Sequence, residues 1–469
     1  MSRKLKNQVL ENLKVERIAA EGKSVAHYDG KVVFIPNVAP GDVVDVRVTR
    51  GKSSFMEGEA IKIHQYSKDR VDPFCEHFGV CGGCKWQHIN YGTQLNFKWQ
   101  QVVDQFERIA KIPIPEVRPI IGSSATQYYR NKLDFTFSDN RWLTKEEIDT
   151  GEEFERNALG FHVPKRFDKI VDIQHCYLQG GISNDIRNRL RKFALDNDIS
   201  FYDIREQKGV LRNLIIRTTS TGETMAIVQF GADATESIEK TMRFLQETFP
   251  QVTSLLYILN LKKNETFNDL EVHTYAGQDF ITEKMEGLDF RIGPKSFYQT
   301  NSEQAYQLYK VAREFADLKG DEVVYDLYTG TGTIANFVAK NSKQVIGIDY
   351  VEAAIEDAKL NAKVNDLVNT LFYAGDMKDV LNEEFMAQHA VPDVIITDPP
   401  RAGMHEDVVK MLLNLAAPKI VYVSCNPATQ ARDVALMAEK YDVANIQPVD
   451  MFPQTYHVEN VVLLTRKPS

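Results

Sequence analysis

Between residues 43 and 51 the chain alternates, with Val44, Val46 and Val48 on one side and Asp45, Arg47 and Thr49 on the other. That period of two is the mark of a half-buried strand. Turn signals at Asp29-Gly30 and Pro40-Gly41, and a further strand in EGEAIKIHQ, give about five short strands over residues 10–65. Such density predicts a small closed barrel of the OB-like kind. A helical stretch, YGTQLNFKWQQVVDQFERIAK, follows. Residues 125–290 mix strands (KLDFTFSD, NLIIRTTS) with a basic amphipathic helix, SNDIRNRLRKFALDN, and read as α+β. From about residue 295 apolar runs alternate with helices: EVVYDLYTGTG, QVIGIDY, TLFYAGD, PDVIITDPPR, KIVYVSCNP and YHVENVVLLTRK mark the strands. This is the pattern of a doubly wound α/β sheet with hydrophobic parallel strands. Three domains are expected, 1–68, 69–290 and 291–469, with 95–123 free to pack on the third.

A length of 469 residues agrees with two to four domains, and 43% hydrophobic with 26% charged residues describes an ordinary soluble protein. The first residues contain no apolar core of a secretory signal, and no apolar run approaches a bilayer span. A cytoplasmic protein with no membrane partner is expected. Net charge is −9, yet residues 1–70 carry +4, so the basic character gathers at the N-terminal end. Cys75, Cys81 and Cys84 crowd into ten residues, and Cys176 and Cys425 stand apart. An odd count in a reducing compartment argues against a disulfide framework. It suggests a four-thiolate site and one cysteine with another task.

Ligands of a doubly wound sheet bind at the carboxyl ends of the strands. Those ends carry Asp326, Tyr328, Gly330 and Gly332, then Asp349, Asp376, Asp398 and finally Cys425. Glycines let a backbone approach a ligand closely. Asp349, 17 residues beyond Gly332, suits ribose hydroxyls. The loop lacks a Walker lysine, and Ala335 stands where GxGxxG has its third glycine, so a ligand without pyrophosphate fits better. DPPRAG at 398–403 has Arg401 where amino-methyltransferases have an aromatic residue. Cys425 ends its strand as a candidate nucleophile. C5 of uracil is a poor nucleophile until a thiolate adds at C6, and a base must later remove the C5 proton. YHVEN offers Glu459 for that, with His457 as a rival.

FYQTN, DLYTGTGT, DPPRAG, SCNP and HVEN occur in the order of the RNA uracil-5-methyltransferase family. The chain resembles that family over nearly its whole length, and most closely its bacterial 23S ribosomal RNA branch. The N-terminal barrel resembles a TRAM domain. The resemblance implies a class I, Rossmann-like methyltransferase domain behind a TRAM barrel and a central α+β iron–sulfur domain. It implies S-adenosylmethionine as donor, held by Gln299, Tyr328, Asp349, Asp376 and Asp398 with the loop of Gly330 and Gly332. Gln299 and Asp398 would also lie near the uracil. Cys425 would be the nucleophile and Glu459 the base. Thr333 replaces a frequent asparagine, and Tyr328-Thr329 replaces the more usual Phe-Cys. The spacing C-x5-C-x2-C plus Cys176 leaves zinc, a [4Fe–4S] cluster or free thiols open. The resemblance implies the [4Fe–4S] cluster on Cys75, Cys81, Cys84 and Cys176. It further implies 23S rRNA as the substrate, and because a base within folded RNA cannot reach a pocket at a strand rim, the target is expected to flip out of its stack; a monomer is expected. YYRNKLDF and IRNRLRK are candidate RNA contacts. Transfer RNA as substrate, a cytosine-5 enzyme and a non-catalytic ribosome-assembly factor are the rival readings. The cytosine enzyme would need a second active-site cysteine.

Overall fold

The computed structural model describes residues 6–19 and 22–468. Six strands between residues 9 and 65 form one sheet, curled so that Val32–Phe34 pairs in parallel with Phe55–Glu57. Val44, Val46 and Val48 point into its core beside Val15, Ala26 and Val33, the inward face that the alternation predicts. Of the expected 1–68 barrel, residues 1–5, 20 and 21 lie outside the described residues.

A seven-stranded sheet between residues 132 and 277 makes the central domain. The helices Ser183–Asp196 and Thr235–Thr248 cover it, and Phe193 and Phe244 stack between them at 4.0 Å. Arg187, read as a possible phosphate contact, is instead buried, donating to the carbonyls of Ile173 and Gln174. The hairpin of Ile281–Met285 and Leu288–Ile292 packs in the core of the last domain. The boundary expected at residue 290 therefore falls inside its second strand.

The helix Tyr91–Gln105 ends in one wider turn, Phe106–Ala110. Its Val102, Phe106 and Ala110 join the same core as the C-terminal sheet. Lys98 fastens it there: its ammonium meets Asp450 Oδ1 at 2.5 Å with both side chains fully buried, and the Tyr91 hydroxyl donates to Asp450 Oδ2 at 2.8 Å. Removing one partner of such a pair leaves a buried charge, at a cost of about 3–5 kcal/mol.

The C-terminal sheet has strands β1 (Val323–Leu327), β2 (Gln344–Asp349), β3 (Thr370–Ala374), β4 (Val394–Thr397), β5 (Lys419–Ser424), β6 (Tyr441–Val449) and β7 (Glu459–Arg466). Their order is β3-β2-β1-β4-β5-β7-β6. β1 to β5 are parallel, whereas β7 runs antiparallel to both β5 and β6, and β6 is a strand that the apolar pattern did not mark. This order is the class I methyltransferase fold. β1 is buried on both faces, and the direction of winding reverses between β1 and β4, where such sheets bind ligands. Among the described residues no helix is long and apolar enough to cross a membrane.

Candidate active site

β1 delivers the chain into a tight loop. Tyr328, Gly330 and Gly332 all have positive φ, at 62°, 55° and 74°. A side chain on Gly332 would meet Ala358 at 2.7 Å, whereas the space over Gly330 is open. Asp326 is buried and holds the loop from below, accepting from Thr329 Oγ1 at 2.5 Å and Ala335 N at 3.0 Å. Asp349 holds it from the side, accepting from Gly330 N and, through its other oxygen, from Val351 N, both at 2.9 Å. Each carboxylate oxygen keeps a lone pair for a further donor. Asp376 caps the next short helix through Lys378 N. A cavity of about 310 Å³ opens here, lined by Tyr328, Tyr350, Gly375, Asp376, Lys378 and His405 among others. Tyr350, 78% exposed, and His405 are lining residues that the sequence motifs did not mark.

Gln299 and Asp398 do not line that cavity. The loop before Gln299 is clamped by the central sheet: Arg217 donates to the carbonyls of Gly293 at 2.6 Å and Ser296 at 2.7 Å. Asn131 Nδ2 donates to the Gln299 carbonyl at 2.8 Å. Asp398 follows β4, its N–H donating to Leu327 O at 3.3 Å.

The register decides the rest. β5 and β7 pair from Lys419 with Thr465 to Ser424 with Asn460. Cys425 follows directly on β5 and Glu459 opens β7, so the two lie at the same end of this strand pair, near enough for the Glu459 charge to act on the Cys425 thiol. Cys425 is half-buried, and Glu459 is 4% exposed. Asn426 caps the following helix and donates to the Arg401 carbonyl at 3.0 Å, which also accepts from Thr429 Oγ1 at 3.2 Å. Those bonds tie the DPPR corner to the cysteine turn. Burial pushes the Cys425 thiol up to about 11, with Glu459 and Asp398 adding to the rise and Arg401 opposing it. Burial and Asp398 push Glu459 up to about 8, again against Arg401. Burial and Asp326 raise Asp398 to about 7. His457 is lowered to about 4 by burial and three nearby cations, and its ring lies on Tyr456 at 4.2 Å.

The sequence profile of the family described as tRNA (Uracil-5-)-methyltransferase matches residues 271–467, and the TRAM domain profile matches residues 4–61. A Bacteroides thetaiotaomicron protein named "Uncharacterized RNA methyltransferase" is 58% identical, over 95% of this chain and 99% of its own. A Porphyromonas gingivalis protein of the same name is 54% identical, over 97% and 99%. The chain belongs to the tRNA (uracil-5-)-methyltransferase family. It is a TRAM-bearing enzyme of an S-adenosylmethionine-dependent RNA uracil-5-methyltransferase family. The crystal structure of Pyrococcus abyssi tRNA (uracil-54, C5)-methyltransferase with S-adenosyl-L-homocysteine is similar throughout. Its TM-score is 0.74 at 30% identity, over 96% of this chain and 99% of that one.

The other four cysteines lie in the central domain. Cys75, Cys81, Cys84 and Cys176, all free thiols, line one cavity of about 120 Å³. Burial pushes Cys81 up to about 12 and Cys84 up to about 11, and neighbouring thiols add to both. Among the described residues no three His, Cys, Asp or Glu side chains converge closely enough to hold a metal ion.

Proposed function

We propose that the chain methylates C5 of a uridine in 23S ribosomal RNA through a covalent bond between Cys425 and C6. The reading is supported by the β5–β7 register, which brings the end of β5, just before Cys425, beside the start of β7 at Glu459. The Cys425 thiolate bonds to C6, and the displaced pair moves through C5 into the O4 enolate. S-adenosylmethionine, when bound, supplies the electrophilic methyl group that C5 then takes. Glu459 as carboxylate removes the C5 proton, the C5–C6 double bond returns, and the sulfur leaves. A carboxylate with a raised pKa is a stronger base once ionised, and Arg401 favours both anions. The donor's place is supported by the open space over Gly330 and the remaining lone pairs of Asp349. Gln299, Tyr328, Gly332, Asp376 and Asp398 complete its contacts in this reading.

Cys75, Cys81, Cys84 and Cys176 would hold a [4Fe–4S] cluster, whose part is to organise the central domain. Four reduced thiols around one cavity fit that group.

Transfer RNA is the second reading. The Pyrococcus abyssi enzyme, whose title assigns uracil-54 of tRNA, is covered over 99% of its length, so the barrel and central domain do not separate the two substrates. Incubation with labelled donor and separate ribosomal and transfer RNA pools, followed by mapping, tests both. Label in 5-methyluridine of 23S rRNA is the expected result. Label in tRNA alone selects the second reading, and label in neither overturns the function.

A further inference from the structure

Of the two adjacent tyrosines in YYRN, Tyr129 is buried and donates its hydroxyl to the Pro453 carbonyl at 2.9 Å. Tyr128 is 46% exposed and has φ 55°. A bulky residue in the left-handed region is strained, and glycine would take that conformation without cost. The strain is held by Tyr128 N–H donating to the Tyr177 carbonyl at 2.6 Å. The ring joins an aromatic group on the rim of the cysteine cavity. The Tyr128 hydroxyl meets His175 Nε2 at 3.0 Å. The Tyr128 and Tyr177 rings lie 5.9 Å apart, His175 and Tyr177 4.4 Å, and Phe74 and Tyr177 5.2 Å.

The same short segment reaches the active site. Arg130 N–H donates to the Leu178 carbonyl at 2.8 Å, and Asn131 N–H to the Thr300 carbonyl at 2.9 Å. Asn131 Nδ2 holds the Gln299 carbonyl. Three residues beyond the exposed ring, the backbone is therefore stitched to the loop that carries Gln299. The Arg130 guanidinium lies over the Phe452 ring at 5.5 Å, beside this path. Aromatic faces bind unstacked bases of any sequence, and a nearby cation favours the attached phosphate.

We infer that Tyr128, with His175 and Tyr177, forms a stacking site for an unstacked nucleobase of the substrate RNA, continuous through Asn131 with the loop that carries Gln299. The inference rests on the RNA-uridine reading above. A base seated there would anchor the RNA on one side of the YYRN segment while the target uridine enters on the other.

The test compares wild type with Tyr128→Gly, which removes the ring and suits the backbone, and Tyr128→Phe, which keeps the ring. The probes are the RNA pool that wild type methylates and a single-stranded oligoribonucleotide containing 4-thiouridine. Tyr128→Gly should raise KM for RNA roughly 5- to 100-fold, the range of one lost base stack. Its donor affinity should be unchanged, and Tyr128→Phe should stay within about twofold of wild type. Ultraviolet cross-linking of wild type should label the peptides containing Tyr128 or Tyr177. Unchanged KM in Tyr128→Gly overturns the site while the methylation reading stands, and loss of methylation by wild type in both pools overturns that reading instead. If the glycine variant fails to fold, cross-links found elsewhere but on neither peptide overturn the site.

Discussion

Cys84 and Cys425 have thiols that burial pushes up to the same value, about 11. Their neighbours differ. Around Cys84 stand Cys176 and Cys75, which raise it further, against Gln87 and Arg130, which lower it. Around Cys425 stand Glu459, Asp398 and the Arg401 guanidinium. Desolvation alone makes an inert thiol; what a buried cysteine does is set by the charges and ligands it faces. In the proposed reading the crowded thiols share a metal cluster, and the lone thiol beside a carboxyl and a cation attacks the substrate.

The sharpest break of that contrast is removal of each sulfur. Cys425→Ala should lower methyl transfer by about 10⁴-fold or more, the scale for a lost nucleophile, with donor binding intact by calorimetry. Turnover by this variant would refute the covalent route. Next in size, Glu459→Gln should slow release of the adduct by about 10²- to 10⁴-fold. A covalent RNA–protein band should then persist on a denaturing gel. Because Glu459 must lose its proton to act and burial pushes it up to about 8, kcat/KM of wild type should rise with pH through about 8. A fall over that range would reassign the base. On the other side, Cys84→Ser should deplete iron and sulfide from anaerobically purified protein and lower Tm by about 5 °C or more. Donor affinity should be kept. Stoichiometric zinc without iron in wild type would replace the cluster.

Much of this contrast was legible in the residues themselves. DPPRAG, SCNP and HVEN announced which side chains end the strands, because a parallel sheet places its chemistry at those ends. Pairing between distant strands was not legible. The start of β7 at Glu459 comes beside the end of β5 at Ser424 only because β7 inserts antiparallel between β5 and β6. β6, YDVANIQPV, carries polar residues and a proline that hid it from the alternation test. Nor does local pattern separate Tyr128 from Tyr129; the separation depends on a left-handed backbone held by the residue after Cys176. Nor does any local pattern link Lys98 to Asp450, 352 residues away, although the two form a buried pair.

Arg401 gives the smallest effect and the finest division between the two cysteine sites. Its carbonyl is fixed by Asn426 and Thr429, so the side chain is presented to the Cys425 turn rather than left to roam. A cation near a thiol favours the thiolate, and its loss moves the thiol pKa upward. Arg401→Ala should shift the pH profile of Cys425 alkylation by iodoacetamide to higher pH by about one unit, a roughly tenfold slower reaction at a fixed pH below the thiol pKa. Arg401→Lys should restore part of it. Because Arg401 is exposed, salt should shrink the difference. The cysteines of the central cavity, which do not face Arg401, serve as the internal reference: their alkylation in metal-free protein should not move. If theirs shifts as much as that of Cys425, the effect is global and Arg401 has no particular hold on the nucleophile.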